Sequence, residues 1–488
     1  MKLYIVTVVA LTGLLGACKK DFLELPSQTS LSTPVFFKTQ NDFQQAINGA
    51  YAPLRGLYGG TGGAWAMGEM RSDNTMYKYN PTDRGTIQPE FIKDFTDDAN
   101  NSVSANKYFT DYTIISRVNQ VLEPIDGVDF DATVKNNIKG QAYFLRAFAY
   151  FDLVQYFGKV PLHLKPAKSI SETALPLTSV DSIYMQIIDD AKQAAALLPA
   201  KAAQEPGRVT AGSAKTLLGN VYLVLKRWAE AEAILKDVTG YSLLSDYATV
   251  FDPAQKNNSE SIFEVQYKEG TEGFASNFFY TFLVQPITAA EITAVTGIAE
   301  VPRTIEGYNI PTPDIIAAYE ASDKRKDASV GNITAGGVPY PYIKKYSHAH
   351  ALTNNTNDNW PVYRYAEVLL MIAEALNEQN KTADALTYLN QVRTRAGLVN
   401  STASGQVAVR DAILKERRVE LAFENKRWPD LVRTGNAQTV MTAFGARVKA
   451  NPQAYYFPAG IAPAAAAYTT INLLFPIPAS EVALNPYF

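Results

Sequence analysis

Cysteine and histidine are nearly missing from this chain, with one Cys and three His in 488 residues. One thiol cannot close an intramolecular disulfide, and so few imidazoles and thiolates leave little for a metal centre of that type. A basic excess is missing too. Lys+Arg number 45 against Asp+Glu 48, a net charge of −3, so nothing is available to neutralise a phosphate backbone and nucleic acid is not an expected partner. Beyond the first residues, no stretch reaches the roughly 18 uninterrupted apolar residues of a spanning helix. No nucleophile elbow, P-loop, dinucleotide fingerprint or zinc motif is present, so no catalytic residue is assigned and the expectation is a protein that is not an enzyme. A glycosidase's carboxylate pair leaves no such mark among the many Asp and Glu. What is abundant is apolar and aromatic: 47% hydrophobic residues mark a packed globular chain, and 28 Tyr with 23 Phe suit either a core or a surface that stacks on ligands.

The N-terminus reads as an address followed by an anchor. Met1-Lys2 is a short basic opening, and Leu3 to Leu15 is an apolar run too short to cross a bilayer of about 30 Å. It ends in Leu15-Gly16-Ala17-Cys18, which resembles the lipobox of bacterial lipoproteins. Residues 1–17 are then a signal peptide, and Cys18 is the lipidation site. Its acyl chains would hold the protein on a membrane at about 0.8 kcal/mol per buried CH₂.

Helical periodicity covers most of the remainder. Apolar residues at helical spacing predict helices over Asp42 to Leu54, Tyr108 to Leu122 and Val134 to Phe157, the last ended by Gly158-Lys159-Val160-Pro161. Internal repeats are visible as well. Leu218, Gly219, Tyr222, Ala231 and Leu235 follow the tetratricopeptide pattern, in which a small residue lets two helices approach. Ala373, Leu376, Ala385 and Leu389 repeat it. A split pair joins Ala147 and Tyr150 to a later helix, Ser182 to Leu198, and a final pair is expected from Val407 to Glu424 with Pro429 to Arg433. The prediction is a mainly α fold: four tetratricopeptide-like helix pairs forming a scaffold, stacked to share a core.

The region from about 246 to 358 differs in texture. Ser261 to Tyr267 alternates apolar and polar residues, predicting a short strand, while Pro302, Pro311, Pro313, Pro339 and Pro341 forbid long helices. This is expected to be a loop-rich insertion with short strands on the helical frame. Its Asn-rich turn, Asn354 to Asn359, together with Asp323 or Asp327, has oxygen donors for a structural calcium ion, but no EF-hand spacing supports one and no metal is assigned. His348 and His350 flank Ala349 and are expected in a solvated polar patch.

Longer phrases carry a family resemblance. They include Cys18-Lys19-Lys20-Asp21-Phe22-Leu23, Asn48-Gly49-Ala50-Tyr51, Arg117-Val118-Asn119-Gln120-Val121, and Arg146 to Leu153 running into Gly158 to Leu162. Later ones are Arg364 to Leu370, Asn390 to Gly397, Glu416 to Glu424 with Arg427-Trp428, and the closing Leu474-Phe475-Pro476-Ile477-Pro478. In this order they resemble the SusD/RagB-like outer-membrane lipoproteins that capture nutrients for TonB-dependent transporters. The resemblance implies one SusD-like domain over residues 18–488, lipid-anchored in the outer membrane and facing the cell exterior. It implies a surface glycan-binding subunit that delivers oligosaccharide or polysaccharide to a SusC-like transporter. The alternative it leaves open is a RagB-like subunit that captures peptides.

Binding a sugar without cleaving it needs flat aromatic faces for C–H groups and polar groups for hydroxyls. Trp228, Trp360 and Trp428 fall in repeats or helix approaches and are expected in the core. Trp65 follows the glycine-rich Gly59 to Gly63, with Glu69, Arg71, Asp73, Asn74, Tyr77 and Tyr79 close behind, and in similar proteins this early loop contributes to the glycan site. A plug for the repeats is the competing role. In the insertion Phe274, Phe278, Phe279, Tyr280, Arg303 and Tyr308 form a second group, of which Phe274, Tyr280 and Tyr308 are taken as ligand-binding candidates.

Overall fold

A computed structural model of the chain describes residues 36–82, 87–169, 172–302 and 305–488. The signal peptide and Cys18 lie outside the described residues, as does Arg303. The first long helix, α1 (Gln40–Tyr58), starts at a capping box in which Thr39 and Asp42 satisfy each other's backbone N–H. It packs on α2 (Ser102–Leu122) and α3 (Ala132–Phe157).

From α3 onward the repeats stack in chain order. α3 pairs with α4 (Val180–Leu197), α5 (Ala211–Val224) with α6 (Trp228–Lys236), and α7 (Tyr365–Glu378) with α8 (Thr382–Arg395). α4 also packs on α5, and α6 on α7, so the pairs share a continuous core. Gly219 shows why the pattern needs a small residue: a Cβ there would stand 2.4 Å from the Leu235 side chain of the partner helix. The fourth pair is present over the predicted segments, though its second helix is short. α9 (Gln406–Glu420) packs on α7 and α8, and its link to the short α10 (Arg427–Arg433) is the buried ion pair of Arg417 with Asp430, at 3.0 Å. α11 (Ala437–Ala450) follows, and no helix among the described residues is long and apolar enough to cross a membrane.

The insertion has little regular structure, as expected. It contributes to three two-stranded antiparallel sheets: β1 (Thr75–Met76) with β3 (Ile310–Pro311), β2 (Ser261–Val265) with β6 (Trp360–Arg364), and the hairpin of β4 (Val330–Ala335) and β5 (Val338–Ile343). β2 is shorter than predicted, and every residue in it is buried. Its alternation therefore does not separate a wet face from a dry one. Glu264 faces protein, accepting from the Asn359 side-chain amide at 2.7 Å.

Buried charge fastens insertion to repeats. Arg364, at the end of β6, reaches Glu260 at 2.9 Å, Glu420 at 2.5 Å and Glu424 at 2.8 Å. Arg395 of α8 reaches Glu260 at 2.9 Å and also pairs with Glu420, while Arg325 pairs with Asp323, Glu416 and Glu420. Burial alone would raise the Glu420 carboxyl's pKa, but Arg395, Arg364 and Arg325 outweigh it and hold it well below the usual carboxylate range.

Candidate functional site

Most of the early-loop candidates are corrected by burial. Gly59 to Gly63 is a tight turn rather than an open loop, since a Cβ on Gly62 would lie 2.0 Å from the Leu57 carbonyl oxygen. Trp65 is 2% exposed; its ring stacks on Tyr308 (5.7 Å, 25°) and its Nε1–H donates to the Gly60 carbonyl at 3.1 Å. Neither ring of that stack offers a face to a ligand. Trp65→Ala should therefore act on folding, costing about 3 kcal/mol through the cavity it leaves. A melting temperature equal to that of the unaltered protein would contradict this.

Arg71 is fully buried. It donates to the Ile92 carbonyl (3.2 Å), to Asp97 (2.7 Å) and to the Asn472 carbonyl (2.9 Å), with Phe95 and Phe475 against its guanidinium. Asp73 is buried between Arg427 and Arg418, each at 2.8 Å, which together overcome the upward push of burial and keep its carboxyl ionised. Asn74 donates from its amide to Glu69 (2.9 Å) and accepts from Arg418 (2.8 Å). The Tyr77 hydroxyl donates to Asp94 at 2.9 Å. These four residues hold the loop from within; hydrogen-bonding types in a loop are as useful for pinning backbone as for reading hydroxyls.

Glu69 has the same role. Burial pushes its pKa up to about 7, and it accepts the backbone N–H groups of Phe423 (3.0 Å) and Asn425 (3.1 Å), two residues in the left-handed region. In the insertion, Tyr280 is buried with its hydroxyl 2.5 Å from His350 Nε2, and Phe278 and Phe279 are core. His348 lies 2.5 Å from Asp358, so the two histidines are internal partners rather than a solvated patch. Of the oxygen donors named for calcium, Asp323 is engaged by Arg325, and the Asn355 and Asn357 amides tie down the backbone of Gly270 and Glu269.

Two candidates remain at the surface, Tyr79 and Phe274. Tyr79 belongs to an aromatic patch assembled from three distant segments. The loop after β1 is held by Lys78 N–H donating to the Gly307 carbonyl (2.8 Å) and Tyr79 N–H to the Tyr456 carbonyl (3.3 Å). Tyr79 stacks on Phe457 at 5.6 Å and 28°, and the adjacent Tyr456 meets Tyr340 of β5 at 6.0 Å and 64°. Beneath Tyr340 and Tyr456 lies a small apolar cluster of Val284, Ile310 and Ala335. The Lys78 ammonium sits 5.6 Å from the Tyr340 ring, and partial burial lowers its pKa. Tyr79, Tyr340 and Tyr456 are all half-buried, the condition in which a ring is fixed by packing yet presents an apolar area to solvent. The Tyr456 hydroxyl is committed to the Pro311 carbonyl, whereas the Tyr340 hydroxyl has no protein partner among the described residues and stays available.

Sequence reasoning missed Tyr340 and Tyr456. The signals were weak but present: tyrosines alternating with prolines in Val338 to Tyr342, and the aromatic run Tyr455-Tyr456-Phe457.

Fold and site together define a helical-repeat protein with a packed, half-exposed aromatic patch. Two family models match the chain, one described as the SusD family over residues 318–487 and one as starch-binding associating with the outer membrane over 21–223. SusD-like protein P2 of Formosa agariphila is 29% identical over 481 residues, covering 89% of this chain and 91% of that protein. Among solved structures, one described as a laminarin-binding SusD-like protein is 26% identical, with a TM-score of 0.74 over 92% of this chain and 98% of its own. Surface glycan-binding protein A of Bacteroides uniformis, at 24% identity, shares the fold with a TM-score of 0.76 over 92% of this chain and 99% of its own. The chain belongs to the SusD/RagB-like family.

Proposed function

We propose that this protein is a cell-surface lipoprotein that captures oligosaccharide or polysaccharide and passes it, uncleaved, to a SusC-like TonB-dependent transporter in the outer membrane. The observation that carries the capture role is the patch of Tyr79, Tyr340 and Tyr456, three half-buried rings locked by packing beside Lys78. Sugar C–H faces stack on such rings, and fixed rings cost little ordering entropy on binding. Membership of a family described as starch-binding and associated with the outer membrane supports the location, and the lipobox supports anchoring through Cys18.

The test uses the chain from Lys19 onward in affinity gels cast with plant, host and microbial polysaccharides, with casein-derived peptides as the contrasting class. Retardation by at least one polysaccharide, with no shortened product by chromatography, is the expected result. Binding of peptides alone would move the cargo to the RagB-like class, and released product would overturn capture without cleavage.

A further inference from the structure

A mostly apolar pocket, sharing no residue with the tyrosine patch, lies beside α1. It has a volume of about 190 Å³ and is walled by one face of α1, the 205–208 loop and β2. Asn48, Tyr51 and Arg55 lie three and four residues apart on α1 and so project from one face. The buried side chains of Leu54, Phe263 and Val265 give the pocket an apolar floor.

The polar lining is balanced in charge. Arg208 pairs with Glu205 and reaches Gln141 at 3.2 Å, so those two charges cancel locally. That leaves Arg55 and Glu264. Glu264, 6% exposed, turns its carboxylate to the Asn359 amide, and Gln266 shares amide hydrogen bonds with Asn257 at 3.0 Å. The Arg55 guanidinium has no ion-pair partner among the described residues; it lies 4.7 Å from the centroid of the Phe274 ring, which is 44% exposed. The Arg55 guanidinium and the Asn48 amide over an apolar floor, with Glu264 and Gln266 already held by Asn359 and Asn257, match a few neutral hydroxyls around a C–H face. They do not match an anion, whose charge Glu264 would repel. At about 30 Å³ per water the pocket holds roughly six waters, the scale of one sugar ring.

We propose that this pocket is an accessory subsite for a single neutral pyranose, with Arg55 and Phe274 at its mouth. The proposal deepens the glycan-capture reading and rests on it for the ligand class. Two separated contacts on one chain would raise residence on a polymer by making the second contact intramolecular.

The probes are glucose, galactose, mannose and sodium glucuronate, read by saturation-transfer NMR on the chain from Lys19 onward. At least one neutral hexose should give a signal. Asn48→Trp, at an exposed α1 position, should reduce that signal at least fivefold with an unchanged melting temperature, measured in a Tyr340→Ala background so that the tyrosine patch does not contribute to it. Should Asn48→Trp fail to fold, Arg55→Ala carries the same test. No hexose signal, a signal that survives both pocket variants, or a signal from glucuronate alone overturns the subsite. The polysaccharide gels separate the two readings: retardation without a hexose signal removes only the subsite, and a hexose signal lost in Asn48→Trp without retardation removes only polymer capture.

Discussion

Arg364→Ala is expected to lower the free energy of unfolding by about 3–5 kcal/mol, the range for stripping one partner from a buried ionic cluster. Arg364 is almost wholly buried and serves Glu260, Glu420 and Glu424 at once, besides donating to the Glu420 carbonyl oxygen at 2.5 Å. Removing it leaves three buried carboxylates with Arg395, Arg325 and Lys345 alone to balance them. The sign of the pH dependence follows from the same groups. Although burial alone would raise them, the Glu420 and Glu424 carboxyls are held below their ordinary value by neighbouring cations. Each thus adds stability that is present above the unfolded value near 4.5 and is lost as pH falls through the lower folded value. Without Arg364 those folded values rise, so the gap between variant and unaltered protein should be widest near neutrality and shrink below about pH 4.5. Urea titrations at pH 7 and pH 4 measure both quantities. A loss under 1 kcal/mol at pH 7, or a gap that widens in acid, would refute the assignment.

The frame was legible because its determinants are local. Helical spacing located α3, α5 and α7, and the small residue at Gly219 is where Leu235 of the partner helix needs room. α10 was expected over Pro429 to Arg433 and spans Arg427–Arg433 with Trp428 and Leu431 buried, but the Arg417–Asp430 pair that ties it to α9 was not foreseen, because ion pairs between segments leave no period. The site was less legible for the same reason. Arg71 looked like a ligand contact since a guanidinium is usually wet, yet one of its acceptors, the Asn472 carbonyl, lies 401 residues away in sequence. Trp65 was ambiguous between platform and plug until Tyr308 and Phe282 were seen against it. The patch depends on β1 pairing with β3, on Tyr79 meeting Phe457 and on Tyr340 meeting Tyr456, contacts between segments far apart in the chain that patterning does not encode; the β4–β5 hairpin that carries Tyr340 is local, with Gly336-Gly337 at its turn.

Tyr340→Ala should weaken binding of the retarding polysaccharide by ten- to a hundredfold, equivalent to about 1.4–2.8 kcal/mol. The expectation rests on position. Tyr340 is where the insertion, the early loop and the C-terminal segment converge, through Lys78 on one side and Tyr456 on the other. Its ring is half-buried, so truncation removes surface available to a sugar while leaving the Val284, Ile310 and Ala335 cluster covered in part by Tyr456. Stability should therefore fall far less than in Arg364→Ala. Tyr340→Phe separates the two contributions a tyrosine can make. If stacking dominates, the phenylalanine variant binds within about threefold of the unaltered protein; if the available hydroxyl dominates, it falls with the alanine variant. Unchanged binding in Tyr340→Ala at an unchanged melting temperature would remove the patch as the capture surface and leave the α1 pocket as the remaining contact for glycan.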